Sequence, residues 1–192
     1  TLDRLGMLDE LRRSHFPKKH SVQFFSGSGR ASSPFYFSET DPSERSQTWQ
    51  VLRSEFDGML LDNADRHGVT VRTGTSVKEV LFEGERAVGV KARFANGETR
   101  EVRSRVLMDA TGQRAMLGRQ LGIRRHDPCL RMAAIFTHYE HAHRDSGIDE
   151  GATLILQTRD NKSWFWYIPL PRNRVSVGVV GPIEYLIQER DG

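Results

Sequence analysis

The chain has 192 residues, of which 28% are charged and 37% are apolar, and Lys and Arg exceed Asp and Glu by 28 to 25. These values are ordinary for a soluble globular protein, and no apolar run approaches the length that spans a bilayer. The net charge of +3 is spread along the chain without a basic stripe, so nucleic-acid binding is not expected. The single cysteine, Cys129, excludes an intrachain disulfide and metal sites built on cysteine pairs.

The N-terminal part of the chain predicts helices that alternate with short strands. Apolar residues recur at helical spacing in two segments and follow a strand pattern in two others. The expected elements are helix 2–13, strand 21–25, strand 35–37 and helix 48–67. Gly68 follows the second helix, where a C-cap glycine belongs. The Ser- and Gly-rich stretch 26–34 is expected to be a flexible loop.

The middle of the chain predicts a three-stranded meander and the strands that flank it. The expected strands are 69–73, 76–82, 86–94 and 103–108. Asn96-Gly97 is a strong two-residue hairpin turn because both positions tolerate positive φ. The last of these strands leads directly into the sequence D-A-T-G at 109–112, and a short helix is expected at 115–121.

The remainder of the chain predicts antiparallel strands joined by charged turns. The expected strands are 130–139, 152–158, 163–168 and 174–180. A final helix is expected to open within 183–190. Helices, a meander and then an antiparallel sheet indicate an α/β unit joined to an α+β unit.

The aromatic segment 163–169 reads S-W-F-W-Y-I-P. Residues two apart in an extended chain point to the same face of a sheet, so Trp164 and Trp166 are expected to form an indole wall on one face. Taken alone, the pattern is equally compatible with a buried strand that carries large aromatic residues.

The D-A-T-G turn is the second informative pattern. Small residues at the end of an apolar strand let the backbone approach a cofactor closely. With the R-x-x-F-D sequence that starts at Arg53 and the meander, this turn resembles the middle of a flavoprotein of the aromatic hydroxylase, geranylgeranyl reductase and halogenase superfamily. The resemblance implies that FAD contacts Arg53, the backbone of Val77, Asp109, Ala110, Thr111 and Gly112.

Two further segments resemble flavin-dependent halogenases in particular. The W-x-W-x-I-P sequence resembles their signature, which implies that Trp164, Trp166 and Pro169 shape a tunnel beside the flavin. The segment 16–24 resembles the F-x-x-K-x-G-A-x-F sequence of halogenases that act on phenolic or pyrrolic substrates. The alignment places the essential lysine of that family on Lys19.

The alignment around the lysine has one alternative and one departure from the family. Lys18 is the second candidate for the essential lysine, and Ser21 stands where the family has glycine. A different interpretation of both lysines is a pair of solvated charges at a helix end.

The resemblance implies a specific chemistry for the lysine and the indole wall. A flavin hydroperoxide oxidises chloride or bromide, and the resulting hypohalous acid is activated or captured by Lys19. A charged amine can donate a hydrogen bond to hypohalous acid and a neutral amine can form a haloamine, and burial lowers the pKa of a lysine toward the neutral form. Trp164 and Trp166 keep the organic substrate from being hydroxylated directly.

The resemblance also implies the cofactor, the partners and the location of the protein. The cofactor is FAD, reduced by a separate flavin reductase, and a halide ion is consumed. The organic substrate is a small aromatic molecule that is either free or tethered to a carrier protein. No nucleic acid, membrane or metal site is expected, and the expected location is cytoplasmic.

The predicted domains follow the same family. Residues 1–18 and 44–125 are expected to form part of a Rossmann-like FAD-binding domain with a three-stranded meander. Residues 19–43 and 126–192 are expected to form part of a substrate-binding domain built on an antiparallel sheet. The G-x-G-x-x-G fingerprint that holds the FAD pyrophosphate is absent. The chain is therefore expected to be a fragment of a longer polypeptide that binds FAD weakly or not at all by itself.

Two other functions keep the same scaffold. One is an FAD-dependent monooxygenase or a geranylgeranyl-reductase-like oxidoreductase, and the other is a non-catalytic binding module. Among weaker motifs, Gly27-Ser28-Gly29 lacks the strand-to-helix context of a phosphate loop. The histidines near 138–143 lack a recognised metal-ligand spacing and are expected to form a polar surface turn.

Overall fold

The structure is a computed structural model that describes residues 2–187. These residues form two compact units, of which the first comprises 2–66 and 131–187 and the second comprises 67–130. The predicted division of the chain into an FAD-binding and a substrate-binding domain stays a prediction. Residues 188–190 of the predicted final helix lie outside the described part.

The elements of the described chain are numbered in sequence order. The strands are β1 Lys18–Lys19, β2 Ser21–Phe25, β3 Phe35–Tyr36, β4 Thr48–Trp49, β5 Ser76–Glu83, β6 Arg86–Arg93, β7 Thr99–Arg103, β8 Met132–Glu140, β9 Thr153–Gln157, β10 Trp164–Leu170 and β11 Arg174–Pro182. The α-helices are α1 Leu8–Arg12, α2 Arg53–Arg66, α3 Met116–Gln120 and α4 Ile183–Leu186. Short 3-10 helices lie at Asp3–Leu5, Phe37–Glu39, Glu44–Ser46, Gly112–Arg114 and Gly147–Asp149.

The first unit is built on a six-stranded sheet with the order β3-β2-β9-β10-β11-β8. The neighbours from β9 to β8 pair antiparallel, as predicted for the C-terminal part of the chain. The sheet is nevertheless mixed, because β2 pairs with β9 in parallel. A short turn joins β10 to β11, and Arg172 and Asn173 within it adopt left-handed backbone conformations, with φ of 58° and 55°.

The same unit contains a two-stranded sheet and a small helical core. Strand β1 pairs antiparallel with β4, and Lys19 lies opposite Thr48 in the register. The buried residues beside these strands are Leu11, Phe16 and Trp49. Partly buried apolar side chains from α1 and α2 pack against them, so the core holds both helices to the strand that carries the lysines.

The second unit contains the predicted meander. Strands β5, β6 and β7 pair antiparallel in sequence order. The Val80 N–H on β5 donates to Oε1 of Gln120 on α3 at 2.9 Å, and the Gln120 side-chain NH2 donates to the Val80 carbonyl at 2.7 Å. The predicted α/β character of the chain is therefore observed as mixed helices and sheets.

Several predicted boundaries are wrong for identifiable reasons. The first helix is divided because Gly6 adopts a φ of 68° between the 3-10 turn and α1. The second helix begins only at Arg53, since residues 48–49 pair with β1 instead. Residues 69–73 and most of 103–108 have no partner strand within the described chain, and without a ladder they are not strands.

The strand that carries Lys19 is held by a buried amide and a glycine. The Gln50 side-chain NH2 donates to the Gly151 carbonyl and to Thr153 Oγ1, both at 2.8 Å. The Gln50 backbone N–H donates to the Pro17 carbonyl at 2.8 Å, next to β1. A Cβ on Gly151 would overlap the Lys18 carbonyl group, so only glycine allows this close approach. Gln50 thus joins β1 to the beginning of β9.

We expect Gly151→Ala to destabilise the protein by about 1–3 kcal/mol, because the added methyl group overlaps backbone that cannot move freely. Gly58→Ala is the matched control: Gly58 lies within α2 with no atom in reach of an added Cβ. That substitution should stabilise by about 0.5–1 kcal/mol, since alanine favours the helix. Denaturant unfolding of both variants measures the difference, and equal effects would contradict the close contact at Gly151.

Candidate active site

The indole wall predicted from the sequence is present on the six-stranded sheet. Trp164 and Trp166 lie on the same face of β10, with ring centroids 6.2 Å apart and planes inclined by 55°. Both side chains are half-buried. Phe136 on β8 extends the aromatic surface, with its ring centroid 6.0 Å from that of Trp166.

The indole of Trp166 is positioned by two small residues on β11. Gly178 lies directly opposite Trp166 in the register. A Cβ on Gly178 would overlap the six-membered ring of Trp166 and would lie 2.6 Å from Phe136 Cβ. Trp166 Nε1–H donates to the Oγ of buried Ser176 at 3.1 Å. Gly178 leaves room for the ring because it has no side chain, and the Ser176 hydroxyl binds the N–H of the ring. These two residues together fix where the indole lies.

Pro169 lies on the other side of the sheet from the tryptophans. Alternation along β10 places residues 164, 166 and 168 on one face and residues 165, 167 and 169 on the opposite face. Pro169 is buried and pairs with Val175 on β11, beyond the residues of β10 that pair with β9. The missing N–H therefore costs no hydrogen bond to β9, and its predicted role in lining a tunnel stays a prediction.

Lys19 has the environment expected of a perturbed lysine. Its side chain is half-buried, and burial lowers the pKa of its ammonium group. Nζ lies 5.6 Å from the centroid of the Phe37 ring, a distance at which the ring attracts the charged form. The lysine is therefore more easily neutralised than an exposed lysine, and it lies in a strand rather than at a helix end.

Lys18, the alternative candidate, faces a different part of the unit. It is exposed and lines a cavity of about 570 Å³ together with His20. Arg144 and Arg172 also line this cavity, but they pair with Glu150 and Glu55 respectively. Successive residues of a strand point to opposite sides, which separates the surroundings of the two lysines.

Asp109 organises the D-A-T-G turn of the second unit. Its carboxylate accepts hydrogen bonds from Thr111 N–H at 2.9 Å, Thr111 Oγ1 at 2.6 Å and Leu117 N–H at 2.8 Å. These bonds lower the pKa of Asp109, with the Thr111 hydroxyl as the main cause. Asp109 is thus occupied in shaping the turn, while Ala110 and Gly112 remain exposed with no hydrogen bond to their N–H groups within residues 2–187.

The remaining predicted cofactor residues lie on two other elements. Arg53 starts α2 and pairs with Asp57 one turn later, at 2.9 and 3.0 Å, and its side chain is 77% exposed. Val77 on β5 is exposed next to a register shift in its pairing with β6. The exposed N–H groups of Ala110 and Gly112 at a tight turn suit the anionic and carbonyl groups of a flavin, so this turn of the second unit fits FAD. The contacts of Arg53 and Val77 with FAD stay predictions.

Comparison with known proteins decides the family. The profile of the tryptophan halogenase family matches residues 10–190. The chain belongs to the tryptophan halogenase family. The predicted relation to flavin-dependent halogenases is therefore confirmed.

Individual relatives agree with this membership. The chain is 33% identical to a 1H-pyrrole-2-carbonyl-[peptidyl-carrier protein] brominase of Pseudoalteromonas luteoviolacea, over 96% of the chain and 44% of the relative. It is 28% identical to tryptophan 2-halogenase of Chondromyces crocatus, over 93% of the chain and 33% of the relative. The myxobacterial chondrochloren halogenase structure superposes with a TM-score of 0.88 at 34% identity, covering all of this chain and 43% of that one.

The comparisons cover only part of the relatives. The chain spans less than half the length of the halogenases it matches. The structure of the PqsL protein from Pseudomonas aeruginosa also superposes, with a TM-score of 0.71 at 17% identity, which shows a shared fold alone. The halogenase relatives favour the main interpretation over the monooxygenase, reductase and binding-module alternatives.

Metal-ligand groups and membrane-spanning helices are both absent from the described part of this halogenase-family chain. Within residues 2–187, no three His, Cys, Asp or Glu side chains are grouped as metal ligands. In the same range, no helix is long and apolar enough to cross a membrane.

Sequence reasoning missed the residues that support the wall and the lysine. Ser176 and Gly178 are two apart, like the tryptophans, but their role depends on the register between β10 and β11. Phe37 and Gln50 come from segments with no motif. Only the alternation S-V-G at 176–178, opposite W-Y-I at 166–168, could have indicated the first pair.

We expect Ser176→Ala to shift the tryptophan emission to shorter wavelength, because Trp166 Nε1–H loses its buried polar acceptor. Gly178→Ala should have a larger effect, since its methyl group displaces the ring. Ser54→Ala, on the exposed face of α2, should leave the spectrum unchanged. Fluorescence and near-UV circular dichroism provide the measurement, and unchanged spectra in both β11 variants would refute this packing.

Proposed function

We propose that the full-length protein is an FAD-dependent halogenase that halogenates an electron-rich aromatic substrate. The observation that carries the proposal is the indole wall of Trp164 and Trp166, positioned by Gly178 and Ser176, in a chain that also holds a half-buried Lys19. The family membership and the printed activities of the relatives support it.

We further propose that residues 1–18 and 44–125 supply part of a Rossmann-like FAD domain and that residues 19–43 and 126–192 supply part of a substrate domain, as the resemblance implies. The Asp109 turn would present the N–H groups of Ala110 and Gly112 to the cofactor, with Thr111 held by the carboxylate. The backbone of Val77 and the guanidinium of Arg53 would add further contacts. Bound reduced FAD would supply two electrons, so that FAD, a halogenated ring and two waters arise from FADH2, O2, halide, a proton and an aromatic C–H.

The proposed task of Lys19 follows from its surroundings. Its ammonium group would donate a hydrogen bond to hypohalous acid and make the halogen more electrophilic, or its neutral amine would capture the halogen. Burial lowers the pKa of Lys19 and so favours its neutral form, while the Phe37 ring favours the charged form. The two tryptophans would separate the organic substrate from the site where halide is oxidised.

The proposed partners follow the relatives and the expected chemistry. A separate flavin reductase would deliver reduced FAD, and the aromatic substrate would be free or bound to a carrier protein. A carrier-bound pyrrole is the substrate printed for the brominase relative. A cytoplasmic location is part of the same proposal, because the reductase needs NADH.

Replacement of the lysine tests the proposal. We expect Lys19→Ala in the full-length protein to lower the yield of halogenated product at least about 100-fold, as for other groups that act directly on a reacting atom. Lys18→Ala is the matched control and should retain most activity. Product mass spectrometry gives the yield, and flavin absorbance verifies that both variants retain FAD.

Two outcomes would contradict the role of Lys19. Unchanged product in Lys19→Ala would exclude it, and loss of product only in Lys18→Ala would transfer the role to the neighbouring residue. An oxygenated product without halogen in the parent enzyme would favour the monooxygenase alternative.

A second prediction concerns the turn that would contact FAD. We expect Asp109→Ala to weaken FAD retention, because the N–H groups of Thr111 and Leu117 lose the carboxylate that fixes the turn. Asp160→Ala is a matched control, since Asp160 holds a comparable turn through Thr158 on another element. The dissociation constant of FAD, measured by flavin fluorescence, should rise only in the first variant.

A further inference from the structure

The Ser-Gly-rich loop between β2 and β3 is closed by hydrogen bonds among its own residues. The Ser26 N–H donates to the Arg30 carbonyl at 2.9 Å, and the Gly29 N–H donates to the Ser26 carbonyl at 2.9 Å. The Arg30 N–H also donates to Ser26 Oγ at 3.1 Å. We call residues 26–31 the serine-glycine loop. Its internal bonds close it into a defined turn, which gives Arg30 a fixed backbone position.

This loop is also fixed against the sheet. A Cβ on Gly27 would lie 2.5 Å from the Thr158 carbonyl oxygen and 3.0 Å from Arg159 Cα. Thr158 follows β9, and its carbonyl oxygen leaves no room for a side chain at position 27. The glycine therefore allows the loop to lie directly on the turn between β9 and β10.

A groove of about 570 Å³ lies between this loop and the sheet. Its floor includes Phe24, Ile155 and Gln157, and its rim includes Arg30 and the loop serines. Phe24 is 50% exposed, which is unusual for a phenylalanine within a central sheet. The groove thus combines an apolar floor with hydroxyl groups and a cation.

The register places this groove next to the indole wall. Ile155 lies directly opposite Trp166, and Gln157 lies directly opposite Trp164. Phe24 is the partner of Ile155 on the next strand. Directly paired residues share a face of a sheet, so the floor of the groove and the two indoles belong to one surface.

Arg30 is available to bind an anion. It is exposed, and it forms no ion pair with any carboxylate within residues 2–187. A guanidinium binds a carboxylate or a phosphate through two parallel hydrogen bonds. An apolar floor beside one such group suits a flat molecule with an anionic end.

We propose that the groove binds an aromatic molecule that carries an anionic group. The ring lies on Phe24 and Ile155 beside the indoles, and the anion binds Arg30. Its assignment as the halogenation substrate rests on the proposed function, but the binding itself does not. The anion is the carboxylate of a free aromatic acid, because a carboxylate attached to the ring can reach the guanidinium while the ring stays on the floor of the groove.

The test measures binding to the full-length protein without flavin turnover. The probes are pyrrole-2-carboxylate and its neutral methyl ester, each titrated by calorimetry and by quenching of tryptophan fluorescence. Arg30→Gln should weaken binding of the anionic probe about tenfold or more, the usual effect of losing a charge-assisted hydrogen bond. Arg30→Lys should recover part of the affinity, and the ester should be unaffected by either change.

The control variant is Arg45→Gln, which removes another exposed arginine of the same unit. A lower affinity for the carboxylate in Arg30→Gln, with no change in Arg45→Gln, supports the proposal. The proposal is overturned if binding of the carboxylate depends on Arg30 no more than on Arg45. If Arg30→Gln weakens binding but the parent enzyme does not halogenate any substrate, the binding site is supported and only the proposed function is refuted.

Discussion

The contact between Trp166 and the bare backbone of Gly178 is the constraint on which the candidate active site depends. The indole of a tryptophan on one strand would normally compete for space with the side chain opposite. Here that side chain is absent, and Phe136 on the next strand completes the contact. The nearby Ser176 hydroxyl satisfies the one polar atom of the ring. A broad aromatic surface can therefore lie on the sheet without an unpaired buried N–H.

The second requirement is a lysine that is held but not fully buried. Strand β1 has only two residues and could not hold its position alone. Gln50 and Gly151 join β1 to the start of β9. The core of Leu11, Phe16 and Trp49 lies next to β1 and stabilises it. The result is an amine with a lowered pKa on a supported strand. Wall and lysine come from distant parts of the sequence but from the same compact unit.

The sequence predicted those features that depend on local periodicity. The antiparallel strands, the meander and the tryptophan pair follow from alternation and turn residues, and the structure has them close to the predicted positions. The parallel pairing of β2 with β9 could not be predicted, because it joins residues about 130 positions apart. The roles of Gly178 and Gln50 depend on strand register and on a buried amide, neither of which leaves a local pattern. The hydrogen bonds that close the serine-glycine loop could not be predicted either, because composition does not reveal them.

The most direct test of the account is the mass of the product formed by the full-length protein with FAD, a flavin reductase, NADH, oxygen and bromide, using phenols, pyrroles and indoles as substrates. The account predicts a product with the isotope doublet of one bromine, formed only when bromide is present. A gain of one oxygen that does not depend on halide would contradict it. In that case Trp164 and Trp166 would be structural aromatics of a monooxygenase.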